Sequence, residues 1–457
     1  MYSEFFNTEF IDLKIKDVRL IKRAKLIGNR LIRSPGSCIQ EIFDEKNEAR
    51  CAYDFFGNPK VKWGLLLNPH QDQTIQRIHE EDAEHIFVIQ DSTFYNYTNH
   101  SAKIDMGVIG KQGRFTQLGL LQHTALCISQ DEKPLGIIAL DFIGYDDDPK
   151  DFSYRQGYDD LASSRWRRFS DETKNKLQHA DKKVILLCDR EADFFEFLSD
   201  FKYDDEQFKF VIRSKWDRST GKSARTRQNK LSSLFEQKVC LGKDFLQCAK
   251  SDTHEEISLK ALEDVLLPPI HRGAGHPQNN LPPIRMNVVE ASGIENKWTL
   301  LTNLPVNTLE EVKFVVESYK KRWHIESFHK VLKTAYKAEQ IYLHNSREAI
   351  QNLTTMINIA SVQTYWLIHQ ARHAKSRPAN SCFQKSEIEA LHVYYYHKKL
   401  ENINSITLEQ VYFQIARLGG HKNANNKHPP GILTIYRGIK KLTEIKIIYE
   451  ACMSIKT

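Results

Sequence analysis

Short apolar runs of strand length dominate the middle of the chain. Residues 85–93 (HIFVIQDST) form one such run, and residues 182–198 (KKVILLCDREADFFEFL) predict a strand followed by a helix. Residues 115–129 and 135–144 predict two paired strands, and residues 207–215 (QFKFVIRSK) predict a further one. Strands and helices in this order are typical of a mixed α/β sheet, which is the fold class that we expect.

Regions of helical periodicity flank this central part of the chain. Apolar side chains recur at helical spacing over residues 12–33, before Pro35, and a shorter helix is expected over residues 37–56. Residues 308–335 and 346–372 also predict helices. The sequence therefore predicts helical regions both before and after the α/β part.

The length of the chain, 457 residues, exceeds that of one compact domain. We expect a helical domain over residues 1–70, an α/β domain over 71–370 and a C-terminal helical domain over 371–457. Inside the second domain, a polar and β-rich insertion is expected at about residues 216–296, where the irregular stretch HRGAGHPQNNLPP lies. A long irregular stretch in a compact domain is usually functional or part of a separate insert.

Composition places the chain among ordinary globular proteins. It is 41% hydrophobic and 27% charged, and its net charge of +7 favours an anionic partner without identifying one. Its eight cysteines include no C-x-x-C pair, so neither a disulfide framework nor a zinc site is expected. No window approaches the ~20 apolar residues of a membrane span, and the first residues do not form a signal peptide. We expect a cytoplasmic protein.

Two aspartates follow apolar strands, where the rigid backbone of a sheet can fix the distance between them. Asp91 and Asp189 could together bind Mg²⁺ or Mn²⁺, which prefer oxygen ligands. Glu326, on a predicted helix, would complete a two-metal site for phosphoryl transfer. Asp189 also fits the N-cap of the helix that follows it. Other carboxylates in similar positions stay as alternatives: Asp141, Glu191 and Asp193.

The helix that carries Glu326 has the sequence YKKRWHIESFHKVLK over residues 319–333. At about 100° per residue, one narrow sector collects Tyr319, Arg322, Glu326, Lys330 and Lys333, with Trp323 at its border. A surface ladder with a Glu326–Lys330 pair, worth a few tenths of a kcal/mol, explains the charges but not the aromatic residues. A carboxylate for metal, cations for phosphates and aromatic rings for bases explain the set together.

Cations also cluster on one face of the helix predicted over residues 12–33: Arg19, Lys22, Arg23, Arg30 and Arg33. One interpretation is a solvated polar face. The other is a helix that packs its apolar face inward and offers these cations to phosphates, because phosphate neutralisation dominates affinity for nucleic acids. Both interpretations stay open from the pattern alone.

The spacing Tyr319, two residues, Arg322, three residues, Glu326, six residues, Lys333 resembles a known signature. It is the Y-(2)-R-(3)-E-(6)-K signature of bacterial insertion-sequence DDE transposases related to the transposase of transposon five. Further segments resemble that family in the same order: CDREADFFEFL, FVIRSK, WTLLTNLPV, RWHIESFHKVLKT and IARLGG. The resemblance extends from about Asp12 to the C-terminus and is weakest in residues 216–290 and 375–405.

The resemblance implies a ribonuclease-H-like catalytic core in which Asp91, Asp189 and Glu326 are the catalytic acids and bind two Mg²⁺ ions. It implies that transposon-end phosphates are held by Tyr319, Arg322, Lys330 and Lys333. Trp298 would stack a flipped base when a DNA hairpin forms, and Arg213 would contact DNA. The N-terminal helices would recognise the inverted-repeat ends of double-stranded DNA, and the C-terminal helices would pair two subunits into a synaptic homodimer.

The implied activity is cut-and-paste DNA transposition in the bacterial cytoplasm, in association with the nucleoid. Two alternatives are a ribonuclease-H-like nuclease without strand transfer and an inactive DNA-binding repressor descended from a transposase. The presence of Asp91, Asp189 and Glu326 argues against the repressor. A simple nuclease would need neither Trp298 nor a C-terminal pairing domain.

Overall fold

The computed structural model describes most of the chain, with several internal gaps. The described residues are 4–43, 45–99, 106–112, 115–143, 164–221, 229–247, 254–269, 281–340, 343, 346–422 and 429–455. The irregular stretch predicted at 271–283 lies mostly outside these ranges. In the described part of the chain, no helix is long and apolar enough to cross a membrane.

Ten strands of the described residues form one sheet. They are β1 (His85–Asn96), β2 (Gly107–Gln112), β3 (Phe115–Ser129), β4 (Pro134–Ile143), β5 (Lys183–Cys188), β6 (Phe208–Arg213), β7 (Gly242–Gln247), β8 (His254–Leu267), β9 (Ile284–Ser292) and β10 (Lys297–Thr302). The order is β2-β3-β1-β5-β6-β10-β9-β8-β7, with β4 paired to β3. β1, β5 and β6 are mutually parallel, whereas β3, β4 and β10 are antiparallel to their neighbours. The predicted mixed α/β sheet is therefore confirmed.

Helices surround the sheet and account for most of the two ends of the chain. They are α1 (Phe5–Glu9), α2 (Val18–Arg33), α3 (Ile39–Ile42), α4 (Lys46–Phe56), α5 (Trp63–His79), α6 (Ser164–Leu177), α7 (Phe195–Ser199), α8 (Leu231–Glu236), α9 (Leu309–Lys320), α10 (Trp323–Thr334), α11 (Arg347–His373), α12 (Lys385–Tyr396), α13 (Leu408–Leu418) and α14 (Ile432–Ser454). The side chain of Asp17 accepts a hydrogen bond from the backbone N–H of Arg19. Because this cap fixes the start of α2, the helix predicted from residue 12 begins later.

The single helix predicted over residues 308–335 is wrong, because the structure divides it into α9 and α10. At the division, the N–H of Arg322 donates to the Tyr319 carbonyl at 3.0 Å, and the N–H of His324 donates to the Lys321 carbonyl at 3.1 Å. Such bonds between residues three apart are those of a 3₁₀ turn, which interrupts the α-helical hydrogen-bond pattern. The helix predicted over residues 37–56 is likewise two helices, α3 and α4.

The β-rich segment continues the central sheet. β9 pairs with β10 in antiparallel register, with Ala291 opposite Trp298. β8 then pairs with β9, and β7 with β8, so all three strands extend one edge. β8 alone is 14 residues long. The segment predicted as an insertion at 216–296 therefore contributes surface to the same sheet as β1, β5 and β6.

Two of the expected domain boundaries fall inside helices. Residue 70 lies within α5 and residue 370 within α11. Nearly every residue of α11 is buried, and this helix packs against α2, α5, β4 and α13. One apolar core therefore runs from Phe6 in α1 through the sheet to Leu442 in α14. A second core lies on the other face of the sheet, beneath α6 and α7.

A buried polar junction joins α1, α5 and β4. Arg77 in α5 donates two hydrogen bonds to Glu9 in α1, at 3.0 and 3.1 Å, and its Nε donates to the Leu135 carbonyl at 2.5 Å. His70 accepts the N–H of Ile137 at Nε2, at 2.9 Å, so its Nδ1 carries the proton and donates to Glu9. Burial alone would raise the pKa of Glu9, but its interactions with His70 and Arg77 outweigh burial and lower the pKa.

Substitution of Arg77 by methionine is expected to destabilise the fold strongly. It leaves the buried carboxylate of Glu9 with fewer partners, and removal of one member of a buried ion pair costs about 3–5 kcal/mol. The midpoint of urea denaturation should fall clearly. The control is Lys440→Met, which breaks the exposed pair between Lys440 and Glu41 at 3.4 Å and should shift the midpoint little. Equal shifts in both variants would contradict the structural role of the junction.

Candidate active site

Asp91 lies on β1, on the face of the sheet that packs against α10. The prediction that its strand ends there is wrong, because β1 continues to Asn96 through pairing with β3, where Asp91 lies opposite Thr124. The parallel pairing of β1 with β5 does stop at Ile89. Alternation along the strand puts Asp91 on the same face as Phe87 and Ile89. Its carboxylate therefore projects beyond the shared end of two parallel strands.

Asp189 follows β5 directly and caps a short 3₁₀ helix over Arg190–Ala192. Its Oδ1 accepts the N–H of Glu191 at 2.7 Å. The capping role weighed for this residue is thus observed. The position next to β5, the strand beside β1, also brings its charge close to Asp91.

Arg322 connects Asp91 to Glu326. Its Nη1 lies 3.4 Å from Asp91 Oδ2, and its Nη2 donates to Glu326 Oε1, one turn along α10. The pKa of Asp91 is raised to about 7, first by burial and then by the negative charge of Asp189, with a smaller contribution from Glu326. The N–H of Ser92 and the charge of Arg322 oppose this rise. The charges of the two other predicted acids therefore both act on Asp91.

The three acids fit a divalent cation by their chemistry more than by their present spacing. Within the described residues, no group of three or more histidine, cysteine, aspartate or glutamate side chains is arranged to hold a metal ion. Arg322 instead forms ion pairs with both Asp91 and Glu326. Oxygen ligands suit Mg²⁺, and a cation would relieve the repulsion that raises the pKa of Asp91. Binding of a metal by all three requires Arg322 to withdraw, and the two Mg²⁺ ions stay a prediction.

Aromatic and cationic side chains form one wall beside the acids. The rings of Trp298 and Tyr319 meet edge to face, with centroids 5.1 Å apart. The guanidinium carbon of Arg213 lies 5.9 Å from the ring centroid of Trp298, and that of Arg322 lies 5.8 Å from those of both Tyr319 and Trp323. Trp323 is 56% exposed, whereas Tyr319 is buried. Burial raises the pKa of Tyr319 to about 12, so its hydroxyl stays protonated.

These residues line a cleft of about 740 Å³. The cleft also includes Lys297, Lys320, Phe245 and His254, which the sequence interpretation missed. Lys297 precedes Trp298 and Lys320 follows Tyr319 in the sequence. Their position beside two predicted site residues could have indicated that they belong to the cleft. No local signal marks Phe245 and His254, because they reach the cleft only through the pairing of β7 and β8 with the rest of the sheet.

The other predicted DNA contacts lie apart from this cleft. Lys330 and Lys333 are on α10 beyond Glu326; Lys330 is exposed, and Lys333 lies 3.9 Å from Glu339. Neither belongs to the lining of the cleft as formed by the described residues. The sequence pattern placed Tyr319, Lys330 and Lys333 in one sector because one continuous helix was assumed. In the structure Tyr319 lies on α9 and the two lysines lie on α10, so the three residues need not share one face.

The carboxylates that were alternatives to the three acids have other partners. Asp141 accepts from Arg168 at 2.7 Å, and Glu191 accepts from Arg165 at 2.6 Å. Asp193 is buried and accepts from the guanidinium of Arg218, from Ser214 Oγ at 2.9 Å and from the N–H of Lys215 at 2.6 Å. Asp193 thus holds the loop after β6 in place, which is a structural role.

The cations of α2 occupy the face away from the core. Ala24, Ile27 and Leu31 are buried, as the periodicity predicts. Arg19 is 90% exposed at its side chain and pairs with Asp17, and Lys22 is exposed. Two cations are more enclosed: Arg23 is partly buried, and the guanidinium carbon of Arg30 lies 5.9 Å from the ring centroid of Phe43.

Comparison with known proteins identifies the N-terminal region. Residues 2–61 match the family model described as Transposase DNA-binding, and this range contains α1 to α4. The match is confined to these N-terminal residues, a small part of the 457-residue chain. A solved structure, described as a cryo-EM structure of the piggyBac transposase synaptic complex with hairpin DNA, matches with a TM-score of 0.36 and 9% identity over 82% of this chain and 73% of that chain. This likeness is too weak to support a structural argument.

We expect Asp91→Asn to stabilise the metal-free protein in a pH-dependent way. The pKa of Asp91 is raised from 3.8 to about 7, so its ionisation costs stability that grows as the pH rises from about 4 to about 7. The asparagine variant should therefore unfold at a higher temperature at pH 8, by up to about 4 kcal/mol in stability, and match the parent near pH 4. The melting temperature in the presence of a chelator measures this. A stabilisation independent of pH would show that the carboxylate is not strained by its charge.

Proposed function

We propose that this chain is a DDE transposase that excises and inserts DNA by metal-dependent phosphoryl transfer. The observation that supports the proposal is that the charges of Asp189 and Glu326 both act on Asp91, and that Arg322, which pairs with two of these acids, also lines a cleft with Trp298 and Tyr319. The N-terminal match to a transposase DNA-binding model supports DNA as the substrate class, and under the proposal this is double-stranded DNA. The resemblance to the bacterial insertion-sequence class rests on the spacing from Tyr319 to Lys333.

The strand order supports a ribonuclease-H-like core. In the series β4-β3-β1-β5-β6, β3 runs antiparallel to the other four strands, which share one direction, and the proposed catalytic acids come from neighbouring parallel strands and a helix. β7, β8 and β9 extend that core at one edge. Under this proposal the domains are an N-terminal end-binding region, a catalytic core with a β-rich extension and a C-terminal helical region that pairs two subunits.

Asp91, Asp189 and Glu326 are the residues that would hold the divalent ions, Mg²⁺ or Mn²⁺. When bound, such ions supply Lewis acidity and lower the pKa of water for attack on phosphate esters. The protein provides the carboxylates on fixed backbone and a guanidinium, that of Arg322, which forms ion pairs with two of them in the absence of a cation. Released from the acids, the same guanidinium can bind a DNA phosphate.

The aromatic wall is suited to a DNA strand that leaves the duplex. An extruded base can stack on Trp298, whose ring is held by Tyr319 on one side and Arg213 on another. The hydroxyl of Tyr319 is neutral and can donate a hydrogen bond to a phosphate oxygen. Nicking, hairpin formation, hairpin opening and strand transfer are all in-line phosphoryl transfers, so one site can carry out all four.

Further contacts to DNA would come from outside the cleft. Cations on α10 and α2, with Trp323, form the remaining set: Lys330, Lys333, Arg19, Lys22, Arg23 and Arg30. Those of α2 lie within the region that matches the transposase DNA-binding model, which favours phosphate contact over a merely solvated face. A transposase of this class would act as a homodimer in a synaptic complex on the bacterial nucleoid.

Two alternatives remain testable: a nuclease without strand transfer and an inactive repressor. The decisive experiment incubates the purified protein with Mg²⁺ and DNA that carries its own flanking inverted repeats. Hairpin-ended or 3′-hydroxyl-ended donor fragments, followed by joining to target DNA, support transposition. Random nicking indicates the nuclease, and binding without cleavage indicates the repressor.

Glu326→Gln is expected to abolish cleavage and to leave binding of the inverted-repeat ends largely intact. The substitution keeps the size of the side chain but removes the charge that a divalent cation needs. Gel-based cleavage and gel-shift assays on the same preparation measure both properties. Glu310→Gln, a change at an exposed position of α9, serves as the control and should cleave normally. Cleavage by the Glu326 variant would falsify the assignment of the three acids.

Trp298→Ala should slow hairpin formation by roughly tenfold, because base stacking on an aromatic ring is worth about 1–3 kcal/mol. First-strand nicking should be much less affected, since no base has yet left the duplex. Time courses of nicked and hairpin products separate the two steps. Trp298→Phe retains a stacking surface and is the matched control. If the alanine variant slows both steps equally, Trp298 has no specific role in the hairpin step.

A further inference from the structure

Arg165, near the start of α6, contacts the chain segments of two predicted catalytic acids. Its Nε donates to the hydroxyl of Ser92 at 3.0 Å, and its Nη2 donates to Glu191 Oε2 at 2.6 Å. Ser92 follows Asp91 in β1, and alternation along the strand places their side chains on opposite faces of the sheet. Arg165 is buried and thus approaches the acids from the face opposite α10.

The same two residues also hold the carboxylates through their backbone. The N–H of Ser92 donates to Asp91 Oδ1 at 2.7 Å, and the N–H of Glu191 donates to Asp189 Oδ1, also at 2.7 Å. Each acid therefore accepts a hydrogen bond from the backbone of a residue whose side chain is bound by Arg165. The guanidinium of Arg165 therefore links the two residues, Ser92 and Glu191, whose backbone N–H groups bind the carboxylates.

The neighbours of Arg165 restrict its movement. The hydroxyl of Ser92 lies 2.8 Å from His123 Nδ1, on the adjacent strand β3. The ring of His123 meets those of Trp166 and Phe169 edge to face, at centroid distances of 4.6 and 4.5 Å. Both aromatic residues belong to α6, as Arg165 does. Apolar packing thus fixes the helix against the strand at the point where Arg165 reaches Ser92.

We propose that Arg165 is a positioning residue that sets the distance between Asp91 and Asp189, and through it the geometry of the divalent-cation site. This inference rests on the proposed function, in which the two acids share metal ions. Mg²⁺ demands near-ideal octahedral geometry, so a small displacement of either carboxylate weakens its binding. Loss of a residue that orients metal ligands typically costs 10–100-fold in metal affinity or activity.

The guanidinium is required because two separate nitrogens bind two separate segments. Arg165→Lys keeps the positive charge but replaces the two donor nitrogens Nε and Nη2 by a single one, so the two bonds to Ser92 and Glu191 lose their present fork geometry. The matched control is Arg167→Lys on the same helix. Arg167 also binds with two nitrogens, to the two carboxylate oxygens of Asp200, with Nη2 2.6 Å from Oδ1. Its bonds to Asp200, at the end of α7, do not involve Ser92 or Glu191.

The experiment measures three properties of each full-length variant: the melting temperature, the affinity for Mn²⁺ alone by electron paramagnetic resonance, and Mg²⁺-dependent cleavage of inverted-repeat DNA. We expect both lysine variants to lose similar amounts of thermal stability. Only Arg165→Lys should lose at least about tenfold in Mn²⁺ affinity and cleavage rate. Glu191→Gln, at an exposed side chain, weakens one arm of the contact without endangering the fold and should shift both readouts in the same direction.

Several outcomes would overturn the positioning role. Wild-type affinity for Mn²⁺ in both Arg165→Lys and Glu191→Gln would show that Arg165 only stabilises the fold. Equal losses in the Arg165 and Arg167 variants would lead to the same conclusion. In either case cleavage by the wild-type protein leaves the proposed function standing. Failure of the wild-type protein both to bind Mn²⁺ and to cleave DNA would instead reject the proposed function, and the positioning role with it.

Discussion

Asp91 and Glu326 share one guanidinium, that of Arg322, where the sheet meets α10. Burial of like charges at this place is costly, and the raised pKa of Asp91 is the measure of that cost. The fold tolerates it because the acids lie on elements that packing fixes: β1 and β5 are buried on both faces, and α10 presses Ile325 and Phe328 into the core. The candidate site is thus a charge cluster supported by a rigid apolar frame.

The apolar core also connects the N-terminal helices, the sheet and the C-terminal helices. α11 is buried along nearly its whole length and contacts the N-terminal helices, the sheet and the C-terminal helices. The junction of Glu9, His70 and Arg77 adds a polar connection from α1 to β4. Within the described residues, the region that matches a transposase DNA-binding domain therefore packs directly on the core that carries the acids.

Local patterns were sufficient for much of this architecture. The apolar run that became β5, the paired strands β3 and β4, and α11 have boundaries close to those predicted, because periodicity and turn residues are local properties. The site was harder to predict. β1 extends past Asp91 because β3 supplies a partner for residues up to Asn96. That pairing cannot be predicted from the apolar run at residues 85–93 alone.

The division between α9 and α10 also depends on tertiary contacts that the sequence pattern does not indicate. No glycine or proline marks the division between α9 and α10, so a continuous helix was the natural expectation. The division places Arg322 at the turn, in reach of both Asp91 and Glu326. No sequence pattern indicated the role of Arg165, because its partners Ser92 and Glu191 lie 73 and 26 residues away in the chain.

The position of Arg322 has a thermodynamic consequence under the proposed function. In the metal-free protein, its guanidinium and an incoming cation compete for the same carboxylates. A cation that takes the carboxylates frees the guanidinium for a DNA phosphate, and a phosphate that takes the guanidinium leaves the carboxylates open to a cation. By reciprocity of linked equilibria, each ligand then raises the affinity for the other by the same factor. The arginine would make the order of arrival unimportant and the joint presence of both ligands strongly favoured.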